Sequence, residues 1–213
     1  MTYPRELIDP IIIKNKAFDL EGFVFGNGDF SPDIMLIGEA PGEVEIRTGI
    51  PFTGRSGKEL DKTLAIAGLT RNQVYITSIV RSRPFGKKTI IDKTGQKIEK
   101  RPNRMPKKQE ILLHAPLLDY EITQVQPKLI IALGGCALKR LIDNKMTISE
   151  SHGNIWHGKI KQLGADSNYM PSKQAYDIFP TFHPAAIFYN RKIEQNLIAD
   201  WEKLKEILIA KAL

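Results

Sequence analysis

Four short apolar runs punctuate the chain: Ile34 to Ile37, Val74 to Val80, Leu129 to Leu133, and Asp177 to Phe182. The first three are nearly continuous rather than alternating, the pattern of parallel strands covered on both faces. Helical spacing fills the intervals. After Gly54, Leu60, Leu64 and Ala67 share one face and Gly68 marks the stop. Between Pro106 and Gln124, Ile111, Leu112, Leu117 and Ile122 predict a helix that Pro116 interrupts. A further helix runs from Cys136 to Ile142, behind the paired glycines 134 and 135. The clearest is the last, where Ile193, Leu197, Ile198, Trp201, Leu204, Ile207 and Leu208 hold helical spacing. Strands alternating with helices predict an α/β fold: a three-layer α/β/α sandwich around a central four-stranded parallel sheet, with right-handed crossovers. The whole chain, 1–213, is expected to form one domain. Residues 85–102 read as an inserted hairpin, with KTIID and QKIEK flanking a turn at Lys93-Thr94-Gly95.

Composition narrows the class. A chain of 213 residues buries enough apolar surface to fold without staples. Its one cysteine, Cys136, excludes an internal disulfide and any all-cysteine metal cage. The N-terminus lacks a signal-like apolar run, and no stretch reaches membrane-spanning length. The expectation is therefore a cytoplasmic protein without a membrane partner. The net charge is +7, and its distribution is uneven. Between Arg81 and Lys108 stand eleven basic residues against two acidic ones, Asp92 and Glu99. Such a stretch is either a solvated loop or a phosphate-contacting surface.

In parallel sheets ligands bind beyond the carboxyl ends of the strands. That directs attention to loops 38–57, 80–106, 134–137 and 183–191. The first, GEAPGEVEIRTGIPFTGRSG, is neither a dinucleotide-binding fingerprint nor a Walker loop. It concentrates Glu39, Glu43 and Glu45 beside tight glycine turns and the aromatic Phe52. A carboxylate just past a strand suits orienting water or stabilising a cation. Glu43 reads as a solvated charge, and Phe52 either packs in the core or stacks on a flat ring. His183, in TFHPAA, falls on the same rim as Glu39. His152 and His157, in SHGNIWHG, read as loop residues without a comparable partner.

The ordered series GEAPG, PFTGRSGKELD, VYITSIVRSRP, NRMP, LIIALGG and FHPAA resembles the uracil-DNA glycosylase superfamily, and most nearly its family-4 bacterial and archaeal enzymes. The likeness runs from about Gly26 to Asn190. It implies a monofunctional DNA glycosylase of base excision repair, removing uracil or a related deaminated base from DNA near the nucleoid, as a monomer. Glu39 matches the acid that assists the departing sugar cation, with Glu45 as alternative or helper. Phe52 matches the aromatic that stacks on the flipped base, and His183 the histidine that hydrogen-bonds its developing oxyanion. Gly38, Gly42, Ser78 and Asn103 complete the implied base pocket; the match of Asn103 holds if 85–102 is an insertion. Arg55, Ser56, Gly135, Pro184, Ala185 and Arg191 are the implied DNA contacts, with Ala185 to Phe188 entering the duplex.

Two departures stand out. The family-4 enzymes hold a [4Fe-4S] cluster on four cysteines. Here Ser82 and His114 occupy two of those positions, the N-terminal pair is absent, and Cys136 lies outside the pattern. The expectation is no cluster, no metal and no cofactor. The family's base-reading asparagine is replaced by Ser78, a shorter group with a single donor. This keeps open an alternative, a damaged-base binder without turnover on the same scaffold. A third possibility, action on a free nucleoside, fits poorly with so extended a basic stretch.

Overall fold

In a computed structural model, which describes residues 2–29 and 32–213, the apolar runs become the inner strands of one sheet. The elements follow in chain order. Helix α1 (Arg5–Lys14) precedes the short strands β1 (Leu20–Glu21) and β2 (Asn27–Gly28). Strand β3 (Ile34–Gly38) leads through α2 (Glu43–Thr48) and α3 (Arg55–Ile66) to β4 (Val74–Ser78). The short β5 (Arg83–Pro84) opens onto β6 (Lys88–Ile91) and β7 (Lys97–Lys100). Then come α4 (Lys108–Val125), β8 (Leu129–Leu133), α5 (Gly135–Leu141), α6 (Ile148–Ser151), β9 (Trp156–Leu163), β10 (Tyr169–Thr181) and α7 (Ile193–Lys211).

The sheet has the order β2-β4-β3-β8-β10-β9. Its middle four strands are parallel, as their apolar runs require, and β2 and β9 add antiparallel edges. The sheet is therefore six-stranded around the expected parallel four. The edges escape a periodicity reading because they are too short (β2) or carry no sustained apolar side (β9 and the first half of β10).

Each face has its own core. Ile34, Leu36, Ile76, Ile131 and Phe179 meet Leu60 and Leu64 of α3 and Leu197, Trp201 and Leu204 of α7. On the other face Met35, Ile37, Ile130 and Ile178 meet Leu118, Ile122 and Val125 of α4 and Leu141 of α5. Burying such side chains is worth roughly 1.5–3 kcal/mol each, which makes the layering the main source of stability.

Two expectations need correction. Helix α4 runs uninterrupted through Pro116, which lies on the exposed side. The carbonyl that proline leaves unpaired sits on that same wetter side, while Ala115, Leu117 and Leu118 hold the helix against the sheet. His157 belongs to β9, not a loop, and its Nδ1 lies 2.6 Å from Asp177; His152 Nδ1 lies 2.8 Å from the buried Asp200. Both partners come from elements distant in sequence, so neither pairing has a local signal. Among the described residues no helix is long and apolar enough to cross a membrane.

Candidate active site

Strand register sets the site. Gly38 pairs with Ser78, and the ladder continues past the strands as Ile79 N–H donates to Gly38 O and Val80 N–H to Glu39 O. On the other flank Gly134 N–H donates to Thr181 O, two residues before His183. Chain order reverses direction at β3, with β4 on one side and β8 on the other, so the crevice expected of such a switch opens beyond its end. A cavity of about 680 Å³ lies there. Glu39, Gly42, Glu45, Phe52, Arg55, Ser56, Ser78, Asn103, His183 and Ala185 all line it. The ends of β3 and β10 are two strand spacings apart, about 10 Å, which leaves room for a flat ring between their loops.

Four of the candidate residues lie outside the lining. Gly38 ends β3 beneath Phe52, where a Cβ would sit 2.6 Å from the ring. Gly135 starts α5, and Pro184 is buried in the turn after His183. Arg191 lines a neighbouring hollow with Arg55, Glu59 and Glu194.

The two candidate carboxylates differ in kind. Burial raises the pKa of Glu39, and a hydrogen bond from the Cys136 thiol opposes the shift. Cys136 itself is pushed up to about 12, by burial and then by the neighbouring carboxylate, so it remains a protonated donor. Glu45 is almost fully buried, and its carboxylate is already engaged. Its Oε2 accepts the Gly42 N–H at 3.1 Å and its Oε1 the Gly54 N–H at 3.0 Å. It thereby caps α2 and ties the GEAPG turn to the start of α3. Glu43 is exposed and pairs with Arg47.

Phe52 is 8% exposed and adopts φ +54, a left-handed conformation costly for an aromatic residue. Its surroundings impose that shape. The Arg71 guanidinium donates to the carbonyls of Pro51, Phe52 and Gly57 while pairing with Asp61. A Cβ on Gly57 would stand 1.7 Å from Phe52 O, so only glycine fits. The Phe52 ring stacks on His183 at 5.5 Å between centroids.

His183 is held neutral. Burial lowers its pKa to about 4, against the pull of the Glu45 carboxylate. Its Nδ1 accepts the Ala185 N–H at 3.1 Å, so the single proton of the neutral ring sits on Nε2.

The two polar base-pocket candidates are also oriented by neighbours. Ser78 Oγ donates to Val80 O at 2.9 Å and accepts from Arg81 Nη1 at 3.5 Å, which leaves its hydroxyl at most one further lone pair as an acceptor. Asn103 Oδ1 accepts from Arg83 Nε at 2.6 Å, so its NH₂ group is the one left to donate. That NH₂ lies beside Gly42, 3.0 Å from where a Cβ would be. Arg83 is itself buried and paired with Glu21. Cys136, Arg71, Gly57 and Arg83 thus shape the cavity although no local pattern marks them.

The positions of the family's cluster cysteines do not suit an iron–sulfur group. Ser82 and His114 are buried, and a hydroxyl and an imidazole do not replace thiolates on such a cluster. His114 Nδ1 accepts the Arg81 N–H at 3.0 Å, and burial lowers its pKa to about 3. Among the described residues, Ser82 Oγ and His114 Nε2 have no hydrogen-bond partner. Next to them Arg81 pairs with Glu121, both buried in the core.

Comparison with known proteins finds relatives over most of the chain. A family model for the uracil DNA glycosylase superfamily matches residues 25–205. A type-4 uracil-DNA glycosylase of Saccharolobus solfataricus is 36% identical over 189 residues, covering 87% of this chain and 76% of that protein. The type-4 enzyme of Sulfurisphaera tokodaii is 34% identical over 191 residues, covering 86% and 74%. That of Thermotoga maritima is 32% identical over 188 residues, covering 87% and 82%.

Proposed function

The chain belongs to the uracil-DNA glycosylase superfamily, and from that premise we propose that it hydrolyses the N-glycosidic bond of uracil or a related deaminated base in DNA. The observation that carries this reading is the convergence of Glu39, Phe52 and a neutral His183 on one cavity. Bond cleavage separates charge: the base leaves with the electron pair, and the sugar becomes oxocarbenium-like. His183 Nε2–H donates to the base oxygen on which negative charge grows. A neutral imidazole serves here because its N–H needs only to be polarised. Asn103 NH₂ supplies a second donor to a base carbonyl, and Phe52 stacks on the ring. Glu39, as carboxylate, stabilises the sugar cation and takes a proton from the water whose oxygen bonds C1′. Its raised pKa makes it a better base than a solvated glutamate. Glu45 positions the loop by capping rather than by chemistry.

Extruding the base costs a few kcal/mol, which phosphate contacts offset. Arg55, Ser56, Gly135 and Arg191 are the residues proposed to make them. Ala185 to Phe188 enter the duplex in this reading, followed by Tyr189, which is 91% exposed. The steps are complete with side chains, DNA and water.

One observation favours a second reading, a damaged-base binder without turnover. Ser78, facing the cavity, has its proton committed to Val80 O. Both uracil and cytosine offer an N–H to the lone pair that Arg81 leaves, so this residue discriminates poorly between them. The test is excision from DNA carrying uracil, hypoxanthine or xanthine, read as strand breaks after alkali. Release of at least one base is expected, falling about 10²–10⁴-fold in Glu39→Gln. Ser78→Asn is expected to sharpen preference for uracil. No breaks on any substrate, with retention on abasic DNA, would leave the binder.

A further inference from the structure

We propose that the β6–β7 hairpin is a DNA-backbone arm, with Lys88 and Lys100 on one face and Lys93 at the tip engaging duplex phosphates beside the cavity. The proposal rests on the reading of that cavity as a DNA-base site and names the part of the chain that grips the flanking duplex.

The basic residues from Arg81 to Arg104 divide into two populations. Arg81, Arg83 and Arg104 are spent inside the fold on Glu121, Glu21 and Glu110. Lys87 pairs with Asp19, and Arg101 with Glu99. The four hairpin lysines have no carboxylate partner among the described residues. The acid at the tip, Asp92, forms no ion pair with them among the described residues and instead shapes the turn. Asp92 Oδ1 accepts from Thr94 N–H, Thr94 Oγ and Gln96 N–H, closing the turn.

The hairpin gains little from its own structure. Nearly every residue of β6 and β7 is exposed, and Ile91 is 69% exposed. Two strands alone are marginal in water. The register sets Lys88 directly opposite Lys100, a like-charge pair that costs stability on such a ladder. With the side-chain period of two, Lys88, Ile90, Ile98 and Lys100 share one face. A polyanion laid along that face removes the repulsion, and among the described residues neither lysine has an ion-pair partner.

The root of the arm fixes where it reaches. Phe85 bridges to Asn103, Gly86 N–H donates to Pro102 O, and Arg101 lies over the Phe85 ring. Pro84, Asn103 and Arg104, on either side of the arm, all line the cavity. Four paired residues span about 13 Å, close to four base-pair rises, so one face can follow a short run of phosphates. Lysines, as flexible point charges, suit backbone contact without base reading.

The test compares the whole protein with two triple variants, Lys88, Lys93 and Lys100→Gln and the same three→Arg. Affinity for a long duplex bearing an abasic analogue is measured across salt. Base release from a short single strand and the melting midpoint are followed in parallel. The Gln variant is expected to melt no lower than the parent, turn over the short strand unchanged, and flatten the slope of log K against log salt by about 2–3. The Arg variant should keep the parental slope. Equal slopes for parent and Gln variant overturn the arm while leaving excision intact. A flattened slope in a protein that releases no base supports the arm and instead removes the glycosylase reading.

Discussion

Glu39 sits between opposing influences: burial disfavours its charge, and the Cys136 thiol supports it. The base role proposed for it requires the ionised form, so in that reading the rate falls as pH drops through the raised pKa. Kcat/KM measured against pH should show an acid limb above the ordinary glutamate range, since His183 protonates only near its lowered value of about 4. A limb at the ordinary value would assign the base elsewhere. Stability runs the other way for this group: protonated Glu39 suits the folded state, and that contribution is lost as pH rises through the raised pKa. At Ser82 the prediction concerns an orphan hydroxyl. Removing a buried, unpartnered polar group relieves its desolvation, so Ser82→Ala should be neutral or raise stability by about 1 kcal/mol in denaturant melts. The roles of these residues divide sharply in legibility. Glu39, Phe52 and His183 announce themselves through motif and position at strand ends. The engagement of the Ser78 proton and the Asn103 oxygen does not, because Val80 and Arg83 act through coordinates rather than spacing.

At the scale of elements, the turn from Pro51 to Gly57 is where local conformation and site coincide. Phe52 holds an unfavourable φ because Arg71 gathers three carbonyls around it and Gly57 leaves the space. Gly57→Ala drives a methyl into Phe52 O. It should cost about 1–3 kcal/mol in unfolding free energy and displace the stacking ring. The distinguishing readout is KM for uracil DNA, which should rise more than melting alone explains; an unchanged KM would remove Phe52 from base binding. The strands β3, β4 and β8 were legible as apolar runs, since both faces are covered. Strand β9 was not, since as an antiparallel edge it lacks that continuity. Pro116 misled for the reverse reason: a local breaker was outweighed by the packed face of α4.

For the whole molecule, the buried pair Arg81–Glu121 joins β4, its following loop and α4. Glu121 is fully buried and also accepts from the hydroxyls of Tyr3, Tyr75 and Thr77. Removing one member of such a pair strands the other charge, so Glu121→Gln should cost about 3–5 kcal/mol in chemical denaturation. A loss under about 1 kcal/mol would mean that water reaches Arg81. Acid sensitivity is a second global property. His114 and His183 have pKa values depressed to about 3 and about 4. Depressed values mean stability that is present above the unfolded pKa of about 6.5 and lost as pH falls toward those values. Melting midpoints should therefore decline steadily from about pH 6.5 downward. His114→Leu should start lower, because the Arg81 N–H loses its acceptor, but show a shallower decline. A decline as steep as the parent's would mean His114 is not a contributor.

The sequence by itself determined the parallel core, the order of helices and strands, and the placement of Glu39, Phe52 and His183 at one rim. Hydrophobic period and strand-end position are local properties, and one chain displays them directly. Only the tertiary structure decided which groups are free to act. Glu45 is drawn into a cap, Arg81, Arg83 and Arg104 into buried pairs, and His152 onto Asp200. Among the described residues the hairpin lysines are left without such partners. Charge in a sequence counts alike wherever it stands; burial and partners far along the chain determine whether it is used internally or left facing solvent.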